Sequence, residues 1–474
     1  MSAAAALVVA AALAGCGSTT YFAGRTLPPS GLTNRVLIAI QNPSSSTAGI
    51  LEFVDAYYDI RFHYDSTNTS PAFSISGFSG RLPITIQNMP EEQLGAVYGS
   101  TDGSLTMVSY SKEITNPGVS GLNGLSSSVF VTRNQLYVFA ASQAAHVLTV
   151  IDRLGGGSYP LSLPGVYRVS VNPGGSAALA FVQNSNYIYY PRKLSSAQTI
   201  AYSGGPSTWP TGAVDCEPQN LPGWCLLQAL DPKTGSPLTF DRPVKAVFSA
   251  DGGTAYVLNC GPECGGSKAS VSPLPVAPLI FLPGEQSGSL PSQNTLNSNT
   301  LAIPGGASNA LVDGSTVYVA GQEKMADGYW GGHLTVVTLP SGSATSMTAK
   351  AQTAISDGTP GAMSRMLLAD DNTLWIGMTR CTNGERANNH QPYGCLTMVN
   401  TTTNAATLLP YIGDATGIAA VTGLHKIYTA EGGQVYIYST VDGSTIDNQN
   451  VAVTGTAYDV AYMDGLTDDN NTVY

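Results

Sequence analysis

From Arg35 onward the chain runs in short stretches in which apolar and polar positions alternate, each bounded by Gly, Pro, Asn, Asp or Ser. Period-two alternation between turn residues predicts β-strands, whose successive side chains face opposite ways. No sustained 3.6-residue pattern interrupts them, so the predicted class is all-β. The strands also recur in a fixed order of strand, tight turn, strand and third strand. The clearest copy is VKAVFSADGGTAYVLN, from Val244 to Asn259, followed by ASVSPLPV. The same order returns in YRVSVNPGGSAALAFVQNSNYIYY, in SVFVTRNQLYVFAASQAAHVLTVID, in SNALVDGSTVYVAG with HLTVVTL, in MLLADDNTLWIGM with CLTMVN, and in GIAAVTGLHKIYTAEGGQVYIYST. A looser copy is LPITIQNMPEEQLGAVYGSTDGSLTMVSY.

Repeats of this size predict a propeller or a solenoid. The ends choose between them. RVLIAIQN and ILEFVDAYY near the N-terminus read as second and third strands lacking a first, and TAYDVAYMDG near the C-terminus reads as a first strand lacking its blade. Joined, they complete one more unit and leave no open sheet edge, whereas a solenoid would need caps. The expected fold is a β-propeller closed by N- and C-terminal strands. The count is eight blades, or seven if one copy is misread.

The repeats resemble the YVTN-type propeller units of bacterial surface and lactonase-like proteins. The nearest copy is Val247-Phe248-Ser249-Ala250-Asp251-Gly252 followed by Tyr256-Val257-Leu258-Asn259, with Ala250 where that pattern has proline. The resemblance spans nearly all of the chain after Arg35 and implies a fold more than an activity.

Composition narrows the setting. Charged residues are only 11% of the chain, so its polar surface comes from Ser, Thr, Asn and Gly, which fits an extracytoplasmic protein. The net charge of −11, without a Lys/Arg cluster, argues against nucleic acid as a partner. The opening MSAAAALVVAAALAGCGSTT has an apolar run too short to span a bilayer, ending in Leu13-Ala14-Gly15-Cys16. It resembles a bacterial lipoprotein signal, although no Lys or Arg precedes the run. The resemblance implies a signal peptide over 1–15, a lipidated Cys16 starting a tether over 16–34, and a propeller over 35–474. Gly17 then favours the outer membrane or cell surface over the inner membrane.

Seven cysteines minus Cys16 leave six in close pairs: Cys216 with Cys225, Cys260 with Cys264, and Cys381 with Cys395. Local disulfides are the simplest of fifteen connectivities. With usual propeller wiring, the turns between first and second strands are short (NPGG, SADGG, VDGS, ADDN). The opposite face receives CGPECGGSK, GQEKMADGYWGGH, the Cys381–Cys395 loop and the insertion from about Ser203 to Arg242. All three bridges are thus expected on one face, which becomes the candidate binding surface. Its candidate residues are Tyr329, Trp330, Arg380, Arg386, His390 and Tyr393, with Trp224 as a further aromatic. Aromatics and Arg suit both protein hot spots and sugar rings.

Catalytic and metal chemistry find little support. Cys260 and Cys264 form a single short pair where a zinc site gathers four ligands. Ser249–Tyr256 has the outline of a sialidase Asp-box, yet occurs once, at an ordinary turn. Of five histidines only His390 lies in a long loop of that face. No metal, cofactor or catalytic set is therefore assigned. The expected function is a lipid-anchored envelope propeller binding a protein or glycan through its stapled loops. The alternative, resting on fold resemblance alone, is a lactonase-like or other hydrolase at the channel.

Overall fold

The structure, a computed structural model, describes residues 25, 27–42, 49–61, 72–99, 102–219, 222–326, 328–340, 346–357, 362–380, 395–410, 412–446 and 451–467. Their strands form eight antiparallel sheets, the eight blades of a β-propeller. Blade 1 is the joint. Its innermost strand, Thr456–Tyr462, comes from the C-terminus and pairs with Arg35–Gln41, which pairs in turn with Ile50–Asp55. The innermost strands of blades 2 to 8 are Pro83–Met89, Ser128–Val131, Val166–Val171, Pro243–Phe248, Asn309–Asp313, Ala362–Ala369 and Ala415–Val421.

The core is not central. It consists of eight apolar layers, one between each pair of neighbouring blades. In Arg35–Gln41, Val36, Ile38 and Ile40 pack with Tyr428 and Ile437 of blade 8, while Leu37 and Ala39 pack with Ile86 and Val97 of blade 2. Both faces of a blade are therefore buried, which is why middle strands such as Tyr137–Ser142 are buried at every residue. The joint is also locked by charge. Arg35 reaches Asp464 at 2.6 Å and Glu113 at 2.8 Å, both buried. Arg25 donates to the carbonyls of Pro90 and Gly465, so the ring already holds the chain ahead of Arg35.

Innermost strands run from one face, here called the loop face, to the other, the turn face, where the short first turns lie. Three expectations change on this frame. The insertion after Ser203 contributes two strands to blade 4: Trp224–Gln228 pairs with Ile188–Lys193, and Ala213–Glu217 forms a fifth strand outside it. Trp224 is accordingly fully buried against Tyr137, Tyr159 and Phe281, so it belongs to no binding loop. The Cys216–Cys225 bridge joins these two outer strands, and Cys225 lies opposite Arg192 near the turn face. Cys260–Cys264 instead closes a 3-10 turn on the loop face, so the bridges do not share a face. Cys395 is disulfide-bonded; its expected partner Cys381 lies outside the described residues, as does Cys16. Finally, GQEKMADGYWGGH is largely strand. Blade 6 extends Thr316–Lys324 and Trp330–Thr338 to nine residues each, raising a hairpin above the loop face.

Candidate functional site

Described residues of the loop face form a cavity at the channel mouth and a cleft further out, and the first arises from how the blades begin. Seen from the ring axis, each innermost strand starts with a two-against-one irregularity. Register shifts mark it at Pro83/Thr85, Val166/Arg168, Pro243/Lys245, Met363/Arg365 and Ala415/Gly417, and opposite Ala39/Ile40 in blade 1. In blades 3 and 6 the amides of Ser127 and Ser308 bond to Ala141 and Ala320, the residues already opposite Ser128 and Asn309. A bulge re-aims the side chain beside it. The residues that follow are Thr85, Ser128, Arg168, Lys245, Asn309, Arg365, Gly417 and Asp459, one per blade at the channel mouth.

Six of them line a cavity of about 160 Å³, joined by Ser127 and Ser364. Arg365 reaches across blade 8 to Asp459, Nη2 to Oδ2, at 2.8 Å. Gly417 makes the crossing possible, since a Cβ there would sit 2.5 Å from Asp459 Oδ1. The amide of Ile86 also donates to Asp459, at 2.8 Å. Burial pushes the Asp459 carboxyl up, while Arg365 and that amide pull it back. Lys245 donates from Nζ to Asn309 Oδ1 at 2.8 Å and is almost wholly buried. Burial first, then the charges of Arg168 and Arg365, drives its ammonium well below the usual lysine range.

The second feature is a cleft of about 560 Å³ between blades 4 and 5. Its lining includes Asn186, Thr239, Asn259, Ser270, Ser272, Asn297 and Thr300. Asn259 is buried at the end of Thr254–Asn259, donating to the hydroxyls of Ser270 and Ser272 at 3.0 and 2.8 Å, and its Oδ1 has no hydrogen-bond partner. Asp241 organises the adjoining loop by accepting the amides of Ser267 and Lys268. Burial alone would raise its carboxyl, but the Ser267 hydroxyl and these amides hold it below the ordinary value.

Between the two features, Glu263 of the Cys260–Cys264 turn accepts the Gln322 amide at 3.0 Å and so ties blade 5 to the blade 6 hairpin. Burial pushes the Glu263 carboxyl up to about 7, against the pull of Gln322, Ser308 and Arg380. Of the residues singled out in the sequence, Tyr329 and Trp330 are half-buried at the hairpin tip, where Met325 N–H bonds to Tyr329 O at 2.7 Å. Arg380 is exposed at the end of Thr373–Thr379, within electrostatic reach of Glu263. Arg386, His390 and Tyr393 lie outside the described residues. Ser249 and Asp251, from the Asp-box outline, bond to each other and cap an ordinary turn on the opposite face.

The channel residues went unnoticed in the sequence, although a signal exists. Stacking the repeats on their first strands, YRVSV, VKAVF, SNALV, SRMLL and YDVAY, places Arg168, Lys245, Asn309, Arg365 and Asp459 in one polar column.

No protein-family model matches the chain, and no curated protein matches it. Solved structures do. Kuenenia stuttgartiensis hydrazine synthase matches at 11% identity and TM-score 0.46, covering 76% of this chain and 95% of that one. The β-propeller domain of Myceliophteria thermophila Cps50 (Swd1) matches at 9% identity and TM-score 0.47, covering 76% and 97%. The periplasmic gluconolactonase PpgL of Pseudomonas aeruginosa matches at 14% identity and TM-score 0.42, covering 90% and 98%. Likeness at this level carries no activity across.

Proposed function

We propose that the chain is a recognition module of the bacterial cell envelope, a propeller tethered at the outer membrane or surface by lipid on Cys16, that binds a glycan on its loop face. The observation that supports glycan binding is the cleft between blades 4 and 5, lined by amides and hydroxyls. Such groups offer donors and acceptors in the mixture that sugar hydroxyls need, and a buried Asn259 Oδ1 without a partner is an acceptor a hydroxyl can satisfy. The hairpin bearing Tyr329 and Trp330 stands on the same face and offers aromatic surface there.

A glycan array probed with the full chain tests this reading. Binding is expected, and Asn297→Arg, an exposed change that fills the cleft rim, is expected to weaken it at least tenfold, the loss of one or two good hydrogen bonds. No array signal with a protein captured from solubilised envelope would replace the glycan by a protein partner. For the anchor, acyl label is expected on the wild type and absent from Cys16→Ala; label persisting in the variant overturns the tether.

A further inference from the structure

Three basic side chains converge on the channel mouth of a chain whose net charge is −11. Arg168, Lys245 and Arg365 come from blades 4, 5 and 7, brought together by the same bulge in each innermost strand. Among the described residues that line the cavity there is no Asp or Glu, and the one carboxylate at this level, Asp459, is engaged by Arg365. Gathering positive charge away from water is costly unless an anion balances it. The donors are also oriented: Arg365 Nε is buried without a hydrogen-bond partner, and Ser128 Oγ accepts the Val169 amide at 3.2 Å, leaving its own proton to give.

We propose that the channel mouth is a binding site for a small oxyanion, the carboxylate or phosphate group of a metabolite, held between Arg168, Lys245 and Arg365. A space of about 160 Å³ takes such a group. Guanidinium forks match the geometry of both carboxylate and phosphate, and charge-assisted bonds are strongest where water is excluded. The site shares no lining residue with the glycan cleft, so each stands or falls separately.

Binding is coupled to a proton. Among the described residues, the charged and polar groups that act on Lys245 include Arg168 on the preceding blade, the neutral Asn309 on the following one, and Arg365 beyond it. Two of these disfavour the ammonium, and an arriving anion favours it. The oxyanion therefore stabilises the protonated form of Lys245, and affinity falls as pH rises through the range in which that amine loses its proton.

Calorimetric titration of the full chain with inorganic phosphate and with malonate, across pH and in buffers of different ionisation enthalpy, tests the proposal. The expected result is saturable binding of at least one anion, with a proton uptake that grows as the starting pH is raised. Lys245→Met and Arg168→Gln are each expected to weaken it at least tenfold, as removal of a charged hydrogen bond does, and Lys245→Met alone abolishes the uptake. Circular dichroism confirms folding of each variant, and Arg168→Gln decides the matter should Lys245→Met unfold. No saturable heat from either anion, or unchanged affinity in folded variants, overturns the site.

Discussion

Glu431 is a fully buried carboxyl with only half of its bonding met. One oxygen accepts the Tyr438 hydroxyl at 3.0 Å and the other has no hydrogen-bond partner. Burial pushes its pKa up to about 7, with Tyr438 and Thr429 opposing. The folded chain then keeps a proton that the unfolded chain releases near pH 4.5, so the contribution is complete below about 4.5 and lost as pH rises through about 7. Glu431→Gln is expected to flatten that slope and to stabilise the protein at pH 8 by about 1–3 kcal/mol, read from denaturant unfolding at several pH values. Glu263 acts in the same direction. Neither residue was legible in the sequence, because a Glu at a strand end, as Glu431 is, or in a turn, as Glu263 is, reads the same whether water or a neighbouring blade covers it.

At the scale of elements, strands and first turns were legible and the longer connections were not. Local alternation predicts a strand, but whether GQEKMADGYWGGH loops out or continues the ladder depends on a partner. Blade 6 supplies one in Thr348–Asp357. Gly321 lets the connection from blade 5 cross the hairpin's base, since a Cβ there would lie 2.3 Å from the Gly306 carbonyl carbon. The insertion after Ser203 likewise became strand because Ile188–Lys193 offered an open edge. The Cys260–Cys264 bridge closes a turn of sequence separation 4. On the loop-entropy account its removal as Cys260→Ser/Cys264→Ser costs roughly 2 kcal/mol. A lowered midpoint of thermal unfolding checks that figure, and reduced proteolytic resistance at Glu263 would place the loosening in the loop.

For the molecule as a whole, closure is the decisive contact. Thr456–Tyr462 holds Arg35–Gln41 by sheet bonds and fills two apolar layers, and Asp464 holds Arg35. A chain truncated after Gly455 would expose two blade faces and an unpaired edge. It is expected to lose cooperative unfolding and to aggregate, with recovery when a peptide spanning 456–467 is supplied; a truncated monomer as stable as the full chain would contradict that role.

Alternation, turn residues and the split final repeat determined by themselves the all-β class, a propeller of seven or eight blades and the joint between the ends, because each is written in neighbouring residues, and the eight sheets then fixed the number. Tertiary structure alone decided which faces the bridges occupy, which Trp is core, and that Arg168, Lys245, Arg365 and Asp459 meet. Those residues lie in different repeats, and only closing the ring brings equivalent positions onto one axis, where burial and mutual charge give them properties none has in its own segment.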